Sequence, residues 1–179
     1  MRKIAAGLFI SLDGVVEDAN EWTGPWFNSE VGQAVGSMIA AQDAMLLGRF
    51  TYDEFAAHWP HQTGEMADTM NGTAKYVVSG TLKSADWQNT TVIPGDHAAE
   101  QITALKQQPG KSIGMTGSAT LVGWLLREGL LDELHLLVFP VVLGHGKRLF
   151  AEVGDKVPLK LLDSAKYETG VIHLTYTRA

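Results

Sequence analysis

Two short segments place glycine and hydroxyl residues where an apolar run gives way to a helical pattern. One reads Ala44-Met45-Leu46-Leu47-Gly48-Arg49-Phe50-Thr51, the other Ile113-Gly114-Met115-Thr116-Gly117-Ser118-Ala119-Thr120-Leu121. A strand that turns straight into a helix leaves backbone N–H groups unpaired at the helix start. The helix dipole adds partial positive charge there, so such junctions bind phosphate. Gly48, Arg49 and Thr51 offer N–H groups, a guanidinium and a hydroxyl within one turn. Gly117, Ser118 and Thr120 offer N–H groups and two hydroxyls, and small residues such as Ala119 permit close approach. Either junction alone reads better as a tight turn with a helix cap. Together they point to a ligand with more than one phosphate.

Other residues could complete such a site. Asp13, in Ser11-Leu12-Asp13-Gly14, ends the first apolar run, where an acid could orient a substrate or assist proton transfer; an Asp-Gly turn needs the same pair. Ser79, before Gly80-Thr81, is either a contact for the far end of a nucleotide or a turn serine. Trp22 and Trp26 could wall a pocket for a flat heterocycle. Glu30 could join them, though it reads better as a first-turn helix charge. Gly144-His145-Gly146-Lys147-Arg148 is the densest positive patch and suits an anion or a solvated loop. His58 and His61 have a metal-like spacing without supporting ligands, and His97, His135 and His173 are scattered, so no metal is expected.

Several classes are excluded. The chain has no G-x-G-x-x-G after its first strand, no G-x-x-x-x-G-K-[ST] and no G-x-S-x-G elbow between a strand and a helix, since Gly110-Lys111-Ser112-Ile113-Gly114 leads into a predicted strand. It has no cysteine, which removes disulfides, thiolate metal sites and cysteine nucleophiles. A net charge of −6 without a basic block argues against nucleic acid. No apolar run is long enough to span a bilayer, and the N-terminal segment reads as a strand, not a signal peptide. The expected compartment is the cytoplasm.

The elements that must position these residues follow from periodicity. With 179 residues, 45% hydrophobic and 19% charged, a single domain over residues 1–179 is expected. Strands are predicted at 4–10, 44–47, 75–79, 90–93, 111–115 and 131–142, the last interrupted by Pro140 and therefore edge-like or bulged. Helices are predicted from 28 or 29 to 42, at 49–57, 98–107 and 119–128. Residues 17–28 read as loop, and 59–72 as loop with at most one helical turn. A hairpin over 160–166 and 170–177 closes the chain. The pattern is α/β, with a mostly parallel sheet and an antiparallel edge.

Taken in order, Ser11-Leu12-Asp13-Gly14, Leu47-Gly48-Arg49-x-Thr51, the strand ending at Ser79, and Gly117-x-x-Thr120-Leu121 resemble the dihydrofolate reductase superfold. Gly117 to Leu126, Gly129-Leu130-Leu131-Asp132-Glu133-Leu134 and Phe139-Pro140-Val141-Val142-Leu143-Gly144-x-Gly146 resemble its RibD C-terminal-like group, the reductase domain of riboflavin biosynthesis and its stand-alone relatives. The resemblance implies a three-layer sandwich with helices on both faces of the sheet, and NADPH as reductant. It places the pyrophosphate on Gly48, Arg49, Thr51 and Gly117, Ser118, Ala119, Thr120 and Leu121. The cofactor's 2′-phosphate end falls near Ser79, and the nicotinamide near Phe9, Ile10 and Asp13. The riboflavin reductase carries a glutamate just before the second junction, where this chain has Met115 or Thr116. Dihydrofolate reductase proper carries a carboxylate on its first helix, and Glu30 falls early for that place. The expected activity is NADPH-dependent reduction of a small heterocycle. That substrate is a pyrimidine such as 5-amino-6-(5-phosphoribosylamino)uracil, or a pterin-like molecule. The alternative is an NADP(H)-binding sensor or accessory protein that keeps the fold without the chemistry. A homodimer through the apolar 134–142 strand is a further expectation, as the family often dimerises.

Overall fold

A computed structural model describes residues 1–151 and 154–179. Its centre is one eight-stranded sheet. The strands are β1 (Ile4–Ser11), β2 (Gln42–Gly48), β3 (Ala74–Ser79), β4 (Thr90–Pro94), β5 (Ser112–Met115), β6 (Glu133–Phe139), β7 (Leu159–Lys166) and β8 (Ile172–Arg178). The spatial order is β4-β3-β2-β5-β1-β6-β8-β7. The first six run parallel; β8 pairs antiparallel with β6, and β7 antiparallel with β8. The helices are α1 (Ala19–Trp22), α2 (Ser29–Ala40), α3 (Arg49–His58), α4 (Glu65–Gly72), α5 (Ala98–Gln107) and α6 (Ala119–Glu128). This is the expected α/β sandwich.

Alternate residues of a strand point to opposite faces, and here the two faces are built differently. Ile4, Ala6, Leu8 and Ile10 of β1 join Ala44 and Leu46 of β2 and Ile113 and Met115 of β5 in one continuous core. Ile102 and Leu105 of α5, and Leu121, Val122, Leu125 and Leu126 of α6, cover it. On the other face the core is divided. Met45, Leu47 and Val77 pack with Tyr52 of α3, Met70 of α4 and Trp87. Leu137, Phe139 and Val171 pack with Val31 of α2.

Three expectations are corrected. Residues 65–72 form the full helix α4, because Ala67 and Met70 are buried beneath it. The loop at 17–28 holds α1 and a short 3-10 turn, Gly24–Trp26, with Pro25 in its first turn. The strand predicted at 131–142 stops at Phe139. Pro140 brings no N–H to the ladder, and it ends an interior strand, β6, which lies between β1 and β8.

Lys75 is fully buried on β3. Its ammonium donates to the carbonyls of Met70, Asn71 and Thr73 at 2.7–3.1 Å, capping the C-terminus of α4. It also sits 4.2 Å from the centre of the Trp87 ring. Burial lowers its pKa to about 8, while the carbonyls and the ring face favour the charged form.

Candidate active site

β2 and β5 are neighbours, so their C-terminal ends bring the two glycine junctions into contact. The Gly48 N–H donates to the Gly117 carbonyl at 3.2 Å. A Cβ on Gly48 would collide with the Ser118 side chain and lie 2.9 Å from the Ser118 backbone nitrogen. A Cβ on Gly117 would lie 2.6 Å from Thr51 Oγ1. Only glycine permits this approach, and the Gly117–Ser118 peptide is cis.

The two helix starts differ. Ser118 caps α6, its Oγ accepting from the Leu121 N–H at 3.3 Å. Gly48 heads α3 without a side-chain cap, so the first-turn N–H groups of α3 are open to an anion. Arg49 is half-exposed beside them, its Nε held by the Asp53 carboxylate at 2.8 Å. Lys147 reaches the second junction from the glycine-rich basic segment, donating to Thr120 Oγ1 at 2.9 Å.

Beside the junctions opens a cleft of about 1160 Å³. It lies on the divided face, between α2 and α3, and small residues make its floor: Ala5 and Gly7 of β1 and Gly114 of β5. Met38 of α2 reaches over Gly7, where a Cβ would lie 3.0 Å from its sulfur. Phe9, Phe27 and Phe50 add apolar wall, while Thr51, Gly117, Ser118 and Ala119 form the junction side. On the β6–β8 side stand Glu133, His135, His173 and Tyr167.

Other candidates have different work. Ile10 points into the continuous core on the opposite face, as does Leu121, which offers the site only backbone. Ser79 is buried, and its Oγ accepts from the N–H groups of Thr81 and Leu82 at 3.2 and 3.0 Å. Asp13 lies off the cleft lining. Its carboxylate accepts from Ser11 Oγ at 2.7 Å, Leu143 N at 3.1 Å and Gly144 N at 2.8 Å. Those hydrogen bonds hold it well below the usual carboxylate range. It therefore ties the end of β1 to the loop after β6 and is a poor proton donor. Trp22 and Trp26 pack behind the wall in the cluster with Phe139, and the Trp22 indole N–H donates to the Glu17 carbonyl at 2.9 Å. Glu30 accepts from Asn28 Nδ2 at 3.1 Å and the Glu168 N–H at 2.8 Å, joining α2 to the β7–β8 turn.

The sequence reading missed the floor and the histidine pair. The floor had a signal: β1 alternates Ile4, Ala6, Leu8 with Ala5, Gly7, Phe9, leaving one face thinly covered. His135 and His173 lie 38 positions apart and had no local signal. Among the described residues no cluster of three or more metal-ligating side chains forms, and no helix is long and apolar enough to cross a membrane.

The strand order and the helical layers are those of the dihydrofolate reductase-like fold. The sequence model of the RibD C-terminal domain matches residues 2–173, and the chain belongs to that family. It is 30% identical over 180 residues to YyaP of Bacillus subtilis (strain 168), covering 98% of this chain and 94% of that one. In structure it is similar to a putative riboflavin biosynthesis protein from Shewanella sp. PV-4, with a TM-score of 0.75 and 21% identity over 100% of this chain and 99% of the other. It is also similar to dihydrofolate reductase from Enterococcus faecalis complexed with NADP(H), with a TM-score of 0.67 and 15% identity over 98% and 96% of the two chains.

Proposed function

We infer that the protein is an NADPH-dependent reductase of a small heterocycle, a pyrimidine such as 5-amino-6-(5-phosphoribosylamino)uracil or a pterin-like molecule. The observation that carries this reading is the contact between the junctions, with Gly48 N–H on Gly117 O. It sets the uncapped start of α3 beside the start of α6 at the edge of a large apolar cleft. Two adjacent helix starts suit a pyrophosphate.

The residues fit the cofactor. The open first-turn N–H groups of α3, which Gly48 heads, would hold the pyrophosphate together with the backbone of Gly117 and Ser118 and the hydroxyls of Thr51 and Ser118, with Arg49 adding charge from the rim. The cofactor, when bound, supplies the hydride. The chain's own residues position the heterocycle over the Ala5–Gly7–Gly114 floor and exclude water with Phe9, Phe27 and Phe50.

The sensor reading is favoured by one observation: the Asp13 and Glu30 carboxylates are engaged with backbone N–H groups. Two measurements separate the readings. In a nicotinamide-fluorescence titration the protein binds NADPH, and Arg49→Ala weakens binding several-fold. Bound NADPH is then mixed in stopped flow with a panel of pterins and ribosylaminopyrimidines. Oxidation supports the reductase; tight binding without oxidation across the panel supports the sensor. Failure to bind NADPH overturns both.

A further inference from the structure

The polar side of the cleft is a chain of four titratable side chains in line. Glu133 Oε2 lies 3.4 Å from His135 Nε2, His135 Nδ1 lies 3.1 Å from His173 Nε2, and His173 Nδ1 lies 3.3 Å from the Tyr167 hydroxyl. The β6–β8 register places His135 opposite Thr175 and His173 opposite Leu137, so the rings meet diagonally on the cleft face. All four side chains line the cleft.

The chemistry of the ends fixes the direction of the chain. An ionised carboxylate only accepts, so His135 carries its hydrogen on Nε2. Its Nδ1 is then an acceptor for His173 Nε2–H, and His173 Nδ1 is an acceptor for the Tyr167 hydroxyl. Thr175 Oγ1, 3.1 Å from His135 Nδ1, shares that nitrogen's single lone pair with His173.

One added proton reverses the cleft end. With a hydrogen on His173 Nδ1, the Tyr167 oxygen becomes the acceptor and its own O–H is released toward the cleft. Transfer of the His173 Nε2 hydrogen to His135 Nδ1 then moves the positive charge next to Glu133. We propose that Tyr167, His173 and His135 form a one-proton store that opens on the cleft through the Tyr167 hydroxyl and delivers its proton to a C=N or C=O group of a heterocycle bound there. This rests on the reductase reading, since reducing such a bond adds one proton besides the hydride. On discharge the Tyr167 O–H proton goes to the substrate nitrogen or oxygen. The His173 Nδ1 hydrogen goes to the Tyr167 oxygen, and the His135 Nδ1 hydrogen goes to His173 Nε2. Three bonds to hydrogen break and three form, and the charge passes from the imidazole pair to the substrate. Tyr167 is the contacting group; His173, His135 and Glu133 act through it.

The surroundings suit one proton and not two. Lys3, before β1, donates to Glu133 and keeps that carboxylate ionised. Burial first, then the charge on His135, pulls the His173 pKa down, with Asp163 of β7 opposing. Burial, then Glu30 of α2 and Asp163, raises the pKa of Tyr167 and keeps it protonated.

The test is long-range ¹H–¹⁵N NMR of the histidine rings across pH, on the full chain and without NADPH. Above the histidine range both His135 and His173 are expected as Nε2–H tautomers. On acidification the pair takes up a single proton, and His173 Nδ1 becomes protonated. Tyr167→Phe is expected to leave the one-proton uptake in place, and Glu133→Gln to abolish the fixed His135 tautomer. Two independent protonations near the ordinary histidine value, or an Nδ1–H tautomer on either neutral ring, overturn the store. A protein that binds no NADPH yet shows this titration loses the reductase reading only. One that binds NADPH and shows independent rings loses the store only.

Discussion

The two faces of the sheet carry the same strands and do opposite things with them. On one, α5 and α6 bury an uninterrupted set of large aliphatic residues from Ile4 to Leu136. On the other, α2 and α3 stand apart over Ala5, Gly7 and Gly114, and a cleft replaces the missing core. Small residues on that face of β1 and β5 lower the cleft floor, and Met38 and Gln42 lie directly over two of them, Gly7 and Gly114. Recognition is therefore confined to the front, where the cleft separates two smaller cores, one holding Leu47, Val77 and Trp87 and the other Val31, Leu137 and Phe139. Change on the front is cheap only at the exposed rim of the cleft.

The largest effect expected from this contrast is at Leu125, fully buried on α6. Leu125→Ala should cost about 3 kcal/mol in urea unfolding, the usual range for a buried leucine. Phe50→Ala, on the cleft rim at 61% exposure, should stay within about 0.5 kcal/mol. Equal losses would break the contrast.

Next comes Gly48→Ala. The added methyl meets Ser118, including its backbone nitrogen at 2.9 Å, so the junctions must part. NADPH affinity should fall about tenfold or more, or about 1.4 kcal/mol, in a fluorescence titration. Unchanged affinity would detach the junctions from the cofactor.

Ser118→Ala removes the cap of α6 and should cost about 1 kcal/mol of stability. A larger loss of NADPH affinity than of stability, measured side by side, would show that the hydroxyl faces ligand as well as Leu121.

The smallest effect is a pH dependence. The folded His173 pKa lies below its ordinary value of 6.5. As pH falls through that value, the unfolded chain takes up a proton that the folded ring resists. Stability therefore declines toward acid, by less than about 1 kcal/mol for a partly exposed group. His173→Gln should flatten this decline in unfolding measured from pH 8 to 5.

Much of this was legible in the chain. Apolar runs placed all eight strands in outline, the sixth carried too far, and the 119–128 helix between Ser118 and Gly129, because those signals are local. The junctions were legible as glycine–hydroxyl pairs, but their contact was not, since strand order alone joins residues 48 and 117. Asp13 and Glu30 were half legible for a related reason. A turn carboxylate and a first-turn helix charge can be read from the sequence, and only the fold brings the Gly144 and Glu168 N–H groups to them. The histidine pair needed the antiparallel register of β6 with β8, which periodicity does not specify.

The meeting of Gly48 with Ser118 and of Gly117 with Thr51 also has an evolutionary consequence. Neither glycine is released by changing its partner. A Cβ at 48 meets the backbone of residue 118, and residue 117 has a φ of +156°, which side chains rarely adopt. Relatives that alter the phosphate end of the cleft should therefore keep glycine at 48 and 117 and vary 51 and 118.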